Sequence, residues 1–250
     1  MKSLKQLDLS TLDISSLDLS GLPSMQRGAE VVANEPEMSA FQKARLGMIT
    51  GSNFDRVTYG RNPNGWSDAA MTYFYEILFE WLTYQPASNF DGSRATDWGN
   101  EQEPIAKELY EKETGHKIRT NKFFKAKGFK LVGCTPDGVG KDRGIEIKSP
   151  YGSRNHIRVL IEKAIPKEHI DQITGHSLCT RKKTIDFISF DPRMKREADR
   201  IIIIPHTPPT IAVEELEERL SKFEGMLIEA LETLGIDWKK GIHKLYKDSK

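Results

Sequence analysis

The chain has 250 residues, 29% of them charged and 38% hydrophobic, with a formal net charge of +1. That balance belongs to a folded domain with a sizeable core. It excludes a uniformly basic nucleic-acid coat protein and an acidic tail protein, so DNA binding would need charge gathered on one face. The longest apolar run, "RIIIIPH", is too short to span a bilayer, so no membrane partner is expected. No basic-then-apolar signal pattern opens the chain. Cys134 and Cys179 form neither a zinc spacing nor a disulfide framework, which points to a reducing, cytoplasmic compartment.

Residues 7–21 read LDLSTLDISSLDLSG, with Leu7, Leu12 and Leu17 in register and Asp8, Asp13 and Asp18 behind them. Three copies are too few to stack as a solenoid. Residues 1–38 are therefore expected as a flexible or strand-like leader, or as a docking segment. "SAFQKARLG" (39–47) predicts a short helix ended by Gly47. Ser52 reads as the N-cap of another short helix. Residues 68–84 are apolar nearly all round, which predicts a buried helix. Residues 96–114 read as a helix closed by Gly115, with Trp98, Ile105 and Leu109 on its apolar side. Strand-like runs follow at 117–126, 129–135 and 144–149, then a helix at 167–181. Residues 184–190 and 200–206 are β-branched strands. An amphipathic helix spans 213–234, with Val213, Leu216, Leu220, Phe223, Leu227 and Leu231 on one side. A basic tail, 236–250, is expected to be a solvated end or else to touch DNA phosphates. The order predicts a mixed α/β domain over 39–235, with one central sheet flanked by helices.

The stretch "LVGCTPDGVGKDRGIEIKSP" (131–150) carries the chemistry. Side chains alternate along a strand, so Ile145 and Ile147 face a core while Glu146 and Lys148 face a cleft. A hairpin through "GVGKDRG" brings Asp137 beside Glu146. Two carboxylates held close repel unless a cation lies between them. Oxygen ligands without thiols suit Mg2+ or Mn2+, and a neighbouring lysine can orient or help deprotonate a water for attack on a phosphodiester. An acid-x-Lys triplet is common at this charge density, and "DWK" and "DSK" occur in the tail. Glu146-x-Lys148 is nevertheless the only Glu-x-Lys, and it follows a Pro-Asp at hairpin distance.

"TPDGV…GIEIKSP" resembles the PD-(D/E)xK nuclease superfamily. The wider set "ARLGMITGS", "WGNEQEPIA", "GCTPDG", "EIKSP", "HIDQITGHSL" and "DPRMKRE" resembles the phage λ exonuclease family of alkaline exonucleases and YqaJ-like viral recombinases, in that family's order. The resemblance implies a restriction-endonuclease-like core. It implies a Mg2+-dependent enzyme, with Mn2+ able to substitute, that digests one strand of linear duplex DNA 5′→3′ to mononucleotides. The 3′ overhang would serve a single-strand annealing recombination protein in the cytoplasm of a phage-infected cell, and the enzyme would be a homotrimeric ring. Asp137, Glu146 and the Ile147 carbonyl match metal ligands, and Glu103 matches an acid assisting a second ion. Lys148 and Gln172 match residues that place the attacking water. Arg45, Ser52 and Thr135 match a 5′-phosphate pocket. Arg45 can form a forked, charge-assisted pair with phosphate. Ser52 at a helix N-terminus would add a hydroxyl and backbone N–H groups.

Where the family carries an apolar strand-splitting wedge, this chain has Arg94-Ala95-Thr96-Asp97, and Thr96 is a poor wedge. Arg56, Arg61, Arg154, Arg158, Lys182 and Lys183 are candidate DNA-channel residues. His156, His169 and His176 show no zinc spacing and read as surface or satisfied histidines. Three rival readings remain: an endonuclease or repair nuclease on the same core, a non-catalytic DNA clamp, and a structural carboxylate–metal site. Iron–sulfur variants need four cysteine ligands, and this chain has two.

Overall fold

The computed structural model describes residues 38–87, 94–119 and 122–247. The chain divides into two units, Met1–Met38 and Ser39–Lys250. The leader repeat lies outside the described residues, and every described element belongs to the second unit.

Helix α1, Ala40–Arg45, begins with a capping box. Ser39 Oγ accepts from Gln42 N at 3.2 Å, and Gln42 Oε1 accepts from Ser39 N at 2.8 Å. Ser39→Ala is expected to cost about 1 kcal/mol, read as a lower denaturation midpoint. Gly47 has φ +70°, and a Cβ there would lie 2.7 Å from Trp81 Nε1, so both backbone and space demand glycine. Strand β1, Ile49–Thr50, runs into a 3-10 turn, Gly51–Arg56. Its N-cap is Thr50 rather than the expected Ser52, because the turn begins directly where β1 ends.

Helix α2, Asp68–Thr83, is capped by Ser67, whose side chain accepts from Ala70 N. It buries Ala70, Tyr73, Phe74, Ile77, Leu78 and Trp81, while Tyr75, Phe79 and Leu82 remain exposed. The expectation of all-round burial is therefore corrected: α2 packs by one face, against the 51–56 turn and the helix at 210–233. Helix α3, Arg94–Thr114, buries Gln102, Ala106 and Tyr110. Ile105, expected on the apolar side, is half exposed. The helix is rotated because small Ala106 allows close approach and the Tyr110 hydroxyl donates to Asp186 in the sheet.

The next strands are β2 (Ile118–Arg119), β3 (Phe124–Lys125), β4 (Val132–Cys134), β5 (Gly138–Gly140) and β6 (Arg143–Lys148). Helix α4, Arg154–Glu162, is not signalled by the sequence pattern. A 3-10 turn, Lys167–His169, leads into α5, Ile170–Thr180. Strands β7, Thr184–Phe190, and β8, Ile201–His206, match the two β-branched runs. Helix α6, Thr210–Thr233, buries Leu216, Leu220, Phe223, Leu227 and Leu231 as the periodicity predicts. It also buries Glu224, whose Oε1 accepts from Lys130 N at 2.7 Å and Leu131 N at 2.6 Å.

Two sheets replace the expected one. The larger has the order β2-β5-β6-β7-β8, with β6 and β7 parallel and the remaining pairs antiparallel. The smaller is β1-β4-β3. The run expected over 129–135 thus joins β1 and β3, and the hairpin partner of β6 is the short strand β5, with Gly138 opposite Ile145. In the large sheet, Ile145, Ile147, Ile188 and Phe190 pack with Ala106 and Tyr110 of α3. Ile185, Phe187 and Ile202 pack in a second cluster with Val159 of α4 and Ile173 of α5. The sheet is therefore covered on both faces, and Glu146 of β6 meets protein rather than water.

Over its described residues, 236–247, the tail packs on the domain instead of standing as a solvated end. Its helix α7, Ile242–Lys247, buries Ile242. His243 Nε2 donates to the Lys43 carbonyl at 2.8 Å, and Tyr246 OH donates to the Trp81 carbonyl at 2.6 Å. Among the described residues, no helix is long and apolar enough to cross a membrane.

Candidate active site

The β5–β6 hairpin places Asp137 just before β5 and Glu146 and Lys148 on β6. The alternation argument holds: Ile145 and Ile147 face α3, while Glu146 faces α5. Asp137 Oδ2 accepts from Ile147 N at 2.6 Å, which ties the acid to the strand that carries Glu146 and Lys148. Glu146 is only 2% exposed. Its Oε1 lies 2.7 Å from Lys148 Nζ, and its Oε2 lies 3.4 Å from His176 Nδ1. Glu103 is half-buried on α3, with Lys107 Nζ 3.4 Å from its Oε1. Gln172 is half-buried on α5, one turn before His176.

The electrostatics follow from this crowding. Burial, then the negative charges of Glu146 and Glu103, push the Asp137 carboxyl well above the usual aspartate range. Burial opposes the Glu146 carboxylate too, yet Lys148 and then His176 outweigh it and hold the acid below its ordinary value. Lys148 also loses solvation, but Glu146 and Asp137 raise it, so it stands as an ammonium. Burial lowers His176 against the pull of Glu146. The carboxylates of Asp137, Glu146 and Glu103 are hard oxygen donors of the kind that holds Mg2+ or Mn2+. Their mutual repulsion on Asp137 fits such an ion. No three histidine, cysteine, aspartate or glutamate side chains form a ready-made metal cage among the described residues. Glu146 is engaged by Lys148 and Asp137 by a backbone N–H.

Within the electrostatic reach of this cluster lies a pocket of about 310 Å³ lined by Phe41, Arg45, Thr50, Ser52, Arg56 and Tyr73 among others. An Arg45 Nη donates to Ser52 Oγ at 2.7 Å and approaches Thr50 Oγ1 at 3.4 Å. Burial pulls Arg45 below its ordinary value, and Tyr73, Cys134, Glu80 and Glu146 oppose that, so the guanidinium and the Glu146 carboxylate feel one another. Arg45 and Ser52 are thus brought together as expected, but Ser52 acts through its hydroxyl within a short 3-10 turn rather than as a helix cap. Thr135 does not line this pocket; its hydroxyl is buried without a hydrogen-bond partner. Motif matching does not single out Thr50, although it belongs to the same "ITGS" run. Its backbone N donates to Tyr73 OH at 2.8 Å, which fixes the turn to α2.

The channel candidates divide. Arg61, Arg154 and Lys183 are exposed at the surface. Arg56 is forked onto Glu76 at 2.7 and 2.9 Å, and Arg158 pairs with Glu162 at 3.1 Å. Lys182 Nζ donates to the Lys141 carbonyl at 2.7 Å. Arg56 and Arg158 already have acid partners, and the Lys182 ammonium is tied to a carbonyl. His156 is a satisfied core histidine: Nε2 donates to the Asp199 carbonyl at 2.7 Å, and Nδ1 accepts from Ser189 Oγ at 2.8 Å. In "DPRMKRE", Arg193 donates to Asp191 and to the Tyr151 and Pro150 carbonyls, and its guanidinium lies 4.6 Å over Trp98. It pins the loop after β6 to the start of α3.

The chain belongs to the YqaJ-like viral recombinase domain family, whose model matches residues 40–183. Its fold is that of the alkaline exonucleases. It is similar to LHK-Exo, an alkaline exonuclease from Laribacter hongkongensis, at 26% identity over 77% of this chain and 93% of that one, with a TM-score of 0.69. The complex of LHK-Exo with dAMP gives 25% identity, coverage of 78% and 94%, and a TM-score of 0.69. A phage related exonuclease from Haemophilus somnus 129PT shares the fold at 17% identity, covering 74% of this chain and 96% of that chain, with a TM-score of 0.58. No curated protein sequence matches the chain.

Proposed function

We propose that this protein is a Mg2+-dependent PD-(D/E)xK exonuclease that digests one strand of linear duplex DNA 5′→3′ to mononucleotides. The observation that carries the proposal is the contact between two parts of the site. His176, 3.4 Å from Glu146 of the Asp137–Glu146–Lys148 cluster, packs against the Gly51–Arg56 turn, whose Ser52 accepts from half-buried Arg45 at 2.7 Å. The cluster suits phosphodiester hydrolysis and the pocket suits a terminal phosphate. Each cut regenerates a 5′-phosphate that can re-enter the pocket. The related enzyme's complex with dAMP is consistent with a nucleoside monophosphate leaving such a site.

Asp137, Glu146, the Ile147 carbonyl and Glu103 would hold the metal, which supplies charge neutralisation at the scissile phosphate. Lys148, as an ammonium, orients a water or a phosphate oxygen, and Gln172 assists from α5. The 3′ strand left behind would pass to an annealing protein in the host cytoplasm. A homotrimeric ring around the duplex is part of the same reading.

The test is digestion of two linear duplexes, labelled at the 5′ or the 3′ end, beside a closed circle. Early mononucleotide release from the 5′ label with an intact circle is expected. A cut circle would establish an endonuclease instead. No digestion with any divalent metal would leave the DNA-clamp reading.

A further inference from the structure

His176 lies outside every role given above, yet no side chain in the site is more enclosed. It is 1% exposed on α5, one turn beyond Gln172. Its Nδ1 lies 3.4 Å from Glu146 Oε2, and these two atoms are both buried and both without a hydrogen-bond partner. Two orphaned polar atoms facing one another cost free energy unless they pair. The opposite edge of the ring rests against the 51–56 turn. A Cβ on Gly51 would stand 3.4 Å from His176 Nε2 and 2.9 Å from Cys134 Cβ, so glycine there leaves room for the imidazole. The ring therefore fills the space between the Glu146 carboxylate and the turn that carries Ser52.

We propose that His176 is a positioning residue that donates Nδ1–H to Glu146 Oε2, locks the carboxylate in its ligating orientation and thereby sets the affinity for the divalent metal. The inference rests on the reading of Glu146 as a metal ligand. Its physical content is a division of labour between two partners. Lys148 neutralises the charge of Glu146 at 2.7 Å and must release that oxygen for the carboxylate to serve a cation. His176, on the opposite side, faces the other oxygen at 3.4 Å. When Lys148 turns to a water or a phosphate, His176 is the contact that keeps the carboxylate in place. Partners of this kind typically change metal affinity by about 10–100-fold when removed.

The test titrates Mg2+ into the full chain by calorimetry for wild type, Glu146→Gln, His176→Ala, His176→Asn and His176→Gln. Digestion is measured on each against Mg2+ concentration. An asparagine amide reaches the position of Nδ1, whereas a glutamine amide reaches that of Nε2. We expect His176→Ala and His176→Gln to bind Mg2+ about 10–100-fold more weakly and to recover digestion at high Mg2+. His176→Asn should stay near wild type, and the KM for DNA should not move. Wild-type Mg2+ affinity in His176→Ala, or an asparagine variant no better than the glutamine one, overturns the proposal. Should the alanine variant not fold, the asparagine–glutamine comparison decides. Wild-type Mg2+ binding by Glu146→Gln would instead overturn the metal-ligand reading on which the proposal stands.

Discussion

Lys148→Ala is expected to keep binding to duplex ends and to lose about 10²–10³-fold in the rate of digestion, the range for removal of one donor that steadies developing charge. The side chain is one-third exposed and reaches the cleft from the end of β6. Burial works against its charge, but Glu146 and Asp137 keep it an ammonium. It therefore serves first as a donor, orienting the nucleophile or steadying charge on the phosphate. It is a compact point charge, which the planar fork of arginine does not reproduce, so Lys148→Arg should rescue little. Binding is read with Ca2+, and chemistry by single-turnover digestion with Mg2+. A near-normal rate in Lys148→Ala would remove the residue from the mechanism.

For Arg45→Ala, the expected loss is in the preference for 5′-phosphorylated over 5′-hydroxyl ends, by about 10–100-fold, since a hydrogen bond to a charged group contributes roughly 1.5–3 kcal/mol. The comparison with Arg56 shows why. Arg56 spends its fork on Glu76 at 2.7 and 2.9 Å. Arg45 sits in the same pocket but donates to the hydroxyl of Ser52, so its charge is left for an anion. Its guanidinium also lies 5.0 Å from the Phe41 ring centre, which holds the side chain without neutralising it. The ratio of digestion rates on the two ends is the measurement. An unchanged ratio would take Arg45 out of the pocket.

Much of this site can be read without any fold, because its signals are local. Period-two alternation in "GIEIK" places Glu146 and Lys148 on one face of a strand, and the short turn returns Asp137 to them. The run of apolar positions at helical spacing in α6 is likewise a property of nearby residues. Motif position groups Thr135 with Arg45 and Ser52, and Thr135 is not among the residues lining the cavity that holds those two. The spacing of Arg56 cannot show that it already has an acid partner, whereas Arg158 and Glu162 stand four apart on one helix. Glu76 is twenty residues from Arg56.

Three central features are written in the chain itself: which strand carries the acid and the lysine, which β-branched runs complete the sheet, and which face of α6 closes the core. They depend on side-chain alternation and helical period, which any short window of residues already contains. Other features exist only in the folded molecule. Folding divides one expected sheet into two, gives β6 a different hairpin partner, rotates α3 about Ala106 and Tyr110, and lays the tail onto α2. It also sets His176 of α5 against Glu146 of β6, two elements far apart along the chain. Such choices depend on which distant surfaces meet, and a buried polar atom finds its partner only when they do.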